Sequence, residues 1–93
     1  MTAEVHLDPI AAQDIDALTR SALSRVIEIL DFLSENPLGA QTAGYRKAPD
    51  IRRAVAGKYL IYYRYAPEEN AVLVYTVRHG ARKPPKLKEI LTE

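Results

Sequence analysis

His79 is the one side chain in the C-terminal half of the chain that titrates near neutrality, and it stands in the run Arg78-His79-Gly80-Ala81-Arg82-Lys83. An imidazole among guanidinium and ammonium groups is a base candidate beside cations that stabilise developing negative charge. The plainer reading is a turn residue or a hydrogen-bonded sheet-end residue. Arg64, Arg78 and Arg82 would form a cationic patch if the strands carrying Arg64 and Arg78 are neighbours in matching register. Such a patch contacts phosphate or acidic partner residues, or it balances Asp14, Asp16 or Glu28. Lys83, Lys86 and Lys88 make a basic tail that is either solvated or engages a target. His6 is expected to be structural or solvated.

The composition limits the other chemistry. Without cysteine there is no disulfide and no thiolate metal site, and two histidines, His6 and His79, are too few for a histidine-based metal site without carboxylate help. No Gly-rich phosphate loop is present, so no metal, nucleotide or organic cofactor is expected. No apolar run reaches the ~18 residues of a membrane span. The start, Met1-Thr2-Ala3-Glu4, has no basic region or long apolar stretch, so a cytoplasmic protein is expected. The net charge of +1 conceals a division. Residues 1–44 carry two arginines against seven carboxylates, and residues 45–93 carry eleven Lys/Arg against five. A basic second half of this kind either neutralises the first or faces nucleic acid, the ribosome or an acidic partner.

These residues need elements to hold them. The 93 residues suit one domain spanning 1–93. Residues 3–7 alternate as a short strand. Asp8-Pro9 starts a helix, because Asp is a good N-cap and Pro fits the first helical position. Leu23, Val26, Ile27, Leu30 and Leu33 make an apolar stripe along a second helical stretch, stopped by Asn36-Pro37 and Gly39. Residues 9–35 are either a helical hairpin broken at Thr19-Arg20-Ser21 or a single bent helix. Three strands follow. Ile51–Val55 leads through Ala56-Gly57-Lys58 to Tyr59–Tyr65, and Pro67–Asn70 turns into Ala71–Arg78. Lys86–Leu91 suits one or two helical turns. The result is an α+β fold: a short N-terminal strand, a helical hairpin, then a three- to four-stranded antiparallel meander. The first strand is expected at an edge beside the last. Tyr59, Tyr62, Tyr63 and Tyr65 divide between faces, mostly as core with hydroxyls at the rim.

This order, with Tyr59-Leu60-Ile61-Tyr62-Tyr63-Arg64 followed by Tyr75-Thr76-Val77-Arg78-His79-Gly80-Ala81-Arg82, resembles the RelE/ParE superfamily of bacterial toxins. The compact stretch from Asp8 to Pro37 is similar to RelE-like members. The Arg-His-Gly-Ala-Arg ending looks more like ParE-type and plasmid-stabilisation members. The resemblance implies a growth-inhibiting toxin of a type II toxin–antitoxin module, silenced by a cognate antitoxin. Its target would be DNA gyrase, as for ParE, or mRNA on the ribosome, as for RelE-like endoribonucleases. A third possibility is a degenerate, inactive binding module.

If the chain were a nuclease, the resemblance implies Arg53, His79 and Arg82 as catalytic candidates. Two positions depart from the nuclease pattern. Leu60 stands where ribosome-dependent nucleases often carry Arg, and residues 86–91 lack the C-terminal Tyr. That favours gyrase. Arg64, Arg78, Arg82, Lys83, Lys86 and Lys88 become the expected contacts to target or antitoxin. An exposed apolar groove beside the second helix would suit an antitoxin helix, and a weak homodimer is a further possibility.

Overall fold

In the computed structural model, which describes residues 2–91, the elements follow the expected order. They are β1 (Glu4–Leu7), α1 (Pro9–Asp16), α2 (Arg20–Glu35), β2 (Ile51–Ala56), β3 (Tyr59–Ala66), β4 (Ala71–His79) and α3 (Leu87–Ile90). Asp8 caps α1, its carboxylate accepting the Ile10 N–H at 3.2 Å, and Pro9 occupies the first turn. Thr19 caps α2 in the same way, its hydroxyl accepting the Ala22 N–H at 3.3 Å. The extended backbone at Thr19 breaks the chain there, so residues 9–35 form a helical hairpin and not one bent helix. Val26, Leu30 and Leu33 are buried in the core and Ile29 packs against it. Ile27 is exposed and Leu23 half-buried, which narrows the expected stripe. Ile27 lies about 100° round the helix from Val26, beyond the edge of the buried strip.

The sheet order is β1-β4-β3-β2. Strands β2, β3 and β4 form the antiparallel meander, and β1 lies at the edge beside β4, parallel to it. Parallel pairing follows from the connection, which crosses over through the whole helical hairpin before the meander begins. Gly57, with φ of 62°, makes the tight β2–β3 turn. Among the described residues no helix is long and apolar enough to cross a membrane.

Both sheet faces are covered, unequally. On the helix face, Ala54, Ile61, Tyr63, Val72, Val74 and Val77 meet Ala11, Val26, Leu30 and Leu33. On the opposite face a smaller cluster joins Ile51 and Tyr62 to Ala48 and Ile90, with Tyr45, Leu60, Tyr75 and Leu87 packed against it. The loop before β2 and the short helix α3 therefore form a cover over that second face. A β-bulge decides which residues reach which side. Tyr62 pairs with Thr76 while Tyr63 pairs with Val74, so Tyr75 is the extra residue. The added residue reverses the alternation, and Val74 and Val77, three apart, both enter the helix-side core. Beyond the bulge, Arg78 falls opposite Leu60 on the second face, and His79 falls opposite Tyr59 on the helix face.

The β3–β4 turn is tied to the N-terminus through Asn70, which adopts a φ of 48°. Its side-chain oxygen accepts from the Tyr65 hydroxyl at 2.7 Å, and its amide donates to the Thr2 carbonyl at 3.2 Å. Replacing Asn70 with alanine loses both bonds and puts a less tolerant residue at positive φ. A loss of about 2 kcal/mol is expected, measured as a shifted urea midpoint with an unchanged slope.

Candidate functional site

The cations of the basic half are divided among different surroundings. Arg78 lies under the α3 cover. It donates to Glu89 at 2.8 Å and to the Lys83 carbonyl at 3.2 Å, while its Nε is buried without a partner. Arg64 donates to the Tyr75 hydroxyl at 3.3 Å, which holds its pKa above the usual value, and sits 3.8 Å from Asp50. Arg53 pairs with Tyr62 across β2 and β3 and so shares this second face. Tyr45 records the neighbourhood. Burial first, then Tyr62, raise its pKa, while the charges of Arg78 and Arg53 oppose the rise. The neutral hydroxyl donates to the Pro85 carbonyl and fastens the cover. Tyr62, 1% exposed, has a buried hydroxyl with no partner beneath the same cover.

His79 is elsewhere. Its ring meets Tyr59 edge-on, centroids 5.2 Å apart, on the helix face. Its Nδ1 accepts the Ala81 N–H at 3.0 Å. Only an unprotonated nitrogen can accept, so the neutral ring carries its proton on Nε2 and acts there as a donor. A cavity of about 380 Å³ opens on one side of the Tyr59–His79 pair, lined also by Thr19, Ser21, Arg25, Gly57 and Lys58. A second, of about 400 Å³, opens on the other side towards Gln13, Asp14, Leu18 and Arg82. The β2–β3 turn is pinned there by the Gly80 N–H, which donates to the Lys58 carbonyl at 2.7 Å.

The residues expected to act together therefore separate. Arg53, Arg64 and Arg78 share the second face of the sheet, whereas His79 and Arg82 border the cavities beside the helical hairpin. Charge balance runs through Asp50 and Glu89 and not through the expected Asp14, Asp16 or Glu28. Asp14 is committed instead to the Thr76 hydroxyl at 2.6 Å and the Val77 N–H at 3.0 Å. Lys83, Lys86 and Lys88 are exposed around the start of α3. His6 is exposed and meets Glu4 at 2.8 Å. Arg25 and Lys58, in an exposed helix turn and a hairpin, join His79 at the first cavity. Sequence spacing carries no signal for that meeting, because it depends on docking α2 over the β2–β3 turn. Among the described residues no three acidic or imidazole groups come together as metal ligands.

An apolar groove of about 230 Å³ runs between α2 and the edge strand β2, lined by Ile29, Phe32, Leu33, Gly39, Ala54 and Val55. Phe32 is 49% exposed and Val55 60%. The loop bridges the edge at Thr42 and Arg52 and leaves the following residues of β2 beside the groove. Phe32 rests on Gly39, where a Cβ would stand 3.0 Å from both the ring and the Asn36 carbonyl oxygen. Gly39→Ala is expected to cost about 1 kcal/mol and to move the ring, visible as shifted aromatic proton resonances.

The family model for the ParE toxin of type II toxin–antitoxin systems, parDE, matches residues 5–84. No curated protein gives a significant match. Among solved structures, the chain is similar to the RelBE2 toxin–antitoxin complex from Mycobacterium tuberculosis. The identity is 26% and the TM-score 0.76, covering 85% of this chain and 99% of that one. The isolated E. coli RelE toxin matches with 19% identity, a TM-score of 0.73 and 87% of each chain. The archaeal RelE–RelB complex from Pyrococcus horikoshii matches with 18% identity and a TM-score of 0.68, over 89% of this chain and all of that one. The last two are similar in fold alone.

Proposed function

The chain belongs to the ParE toxin family of type II toxin–antitoxin systems, and from that premise we propose that it arrests growth by binding DNA gyrase. One observation carries this reading. The candidate nuclease residues do not converge: Arg53 lies on the second face of the sheet, His79 and Arg82 lie towards the helical hairpin, and His79 offers a donor where a base is required. Transesterification of RNA needs its base, its acid and its cations around one phosphate. The exposed cations Arg82, Lys83, Lys86 and Lys88 are the proposed target contacts, in the cytoplasm where gyrase works. Induction in a bacterium is expected to raise DNA-damage reporters while transcript ends stay unchanged. Early cuts within translated mRNA would overturn the proposal.

A cognate antitoxin is proposed as the partner, because the similar structures include RelBE2 and RelE–RelB complexes. The apolar groove beside Phe32 and Val55 is its proposed seat, as an amphipathic segment would bury what the free toxin leaves open. A second reading, RelE-like mRNA cleavage, draws on the cationic second face where Arg53, Arg64 and Arg78 lie with Tyr62. In it α3 would have to leave the face before RNA could enter.

A further inference from the structure

We infer that the groove between the helical hairpin and the end of β4 binds a single strand of nucleic acid. Its two cavities, of about 380 and 400 Å³, share Tyr59 and His79 as common walls. Each is too large for a lone phosphate or carboxylate, and the Tyr59–His79 pair lies between them. Arg25 and Lys58 stand at one end and Arg82 at the other. Among the described residues none of these three forms an ion pair. The first cavity has no carboxylate in its lining, and the hydroxyls of Thr19 and Ser21 add donors. Asp14, the carboxylate in the second, is already occupied by Thr76 and Val77. The His79 Nε2–H is the remaining donor of a ring held still by Tyr59 and Ala81.

Cations at both ends with aromatic rings between them match a phosphate–base–phosphate repeat. An acidic peptide would use the charges but not the rings or the volume. A duplex would meet only the rims. The site lies on the helix side, away from the Arg53–Arg78 face, and the inference stands apart from the gyrase reading: either can fail alone.

The test is fluorescence anisotropy with a labelled oligothymidylate of about twelve nucleotides, at several salt concentrations. The free toxin is compared with Arg25→Gln/Lys58→Gln, and with Arg46→Gln/Lys47→Gln as a control of equal charge change in an exposed loop. Binding is expected to weaken at least tenfold in the first double variant and less than threefold in the control. The log–log salt slope is expected to fall by about 1.4, for two lost phosphate contacts. His79→Asn, whose Oδ1 takes the place of Nδ1 as acceptor for the Ala81 N–H, is expected to weaken binding with an unchanged melting temperature. Equal losses in both double variants would mean non-specific attraction and overturn the inference. So would an unchanged affinity in the first, a preference for duplex over single strand, or a loss of antitoxin binding without loss of oligonucleotide binding.

Discussion

Asp14→Ala is expected to lower the melting temperature by about 15 °C. One carboxylate oxygen accepts both the Thr76 hydroxyl and the Val77 N–H. Thr76 is 5% exposed, so its hydroxyl is left poorly solvated once the acceptor is gone. Two orphaned donors, one of them main-chain, cost about 3 kcal/mol, and a domain of this size shifts by about 4–8 °C per kcal/mol. Thr76 and Val77 are the first residues past the bulge at Tyr75, so the same carboxylate also holds the start of the segment whose faces are switched. Adding Thr76→Val to Asp14→Ala removes one of the orphans and is expected to recover part of the loss. Calorimetry on the three variants checks this. A loss under 3 °C for Asp14→Ala would mean that the bond does not join the helix to the sheet.

Phe32→Glu/Val55→Glu is expected to release the toxin from its antitoxin by at least about a hundredfold in Kd, since two apolar anchors at an interface centre contribute about 2 kcal/mol or more each. Val55 is 60% exposed and Phe32 49% in the free chain, so folding loses less than docking does when they change. Charge placed in the groove opposes docking twice, through lost apolar burial and through desolvation of the carboxylates. Growth arrest by the variant is expected to persist when the antitoxin is co-expressed, and calorimetric titration gives the affinity. Full neutralisation of the double variant would move the antitoxin elsewhere on the surface.

The legible parts of the fold were those with local chemistry. Asp8-Pro9 and Thr19 mark helix starts by capping, and Gly57 marks a turn by its freedom at positive φ. The tyrosine-rich run marks β3. β1 takes the expected edge position beside β4, although no local residue signal gives its parallel direction. What stayed hidden was the face each residue takes. Val72, Leu73, Val74, Tyr75, Thr76 and Val77 suit either side of a strand, so no apolar alternation reports the extra residue at Tyr75. Simple alternation would put Arg78 with Val72 and Val74. The bulge sends it to the opposite face, with Arg53 and Arg64, and sends His79 to the helices. The candidate site was therefore legible as a list of residue types and not as a set of neighbours. Arg25 and Lys58 show the same gap, because only docking of the hairpin over the β2–β3 turn brings them to His79.

The central claim, action on gyrase without RNA chemistry, is tested most directly with purified components. Toxin released from its antitoxin is added in parallel to gyrase with relaxed plasmid and to ribosomes translating a defined mRNA. Loss of supercoiling, reversed by antitoxin, with the mRNA intact, is the result the account predicts. Normal supercoiling with mRNA cut on the ribosome would contradict it, and would direct attention to the Arg53–Arg78 face beneath α3.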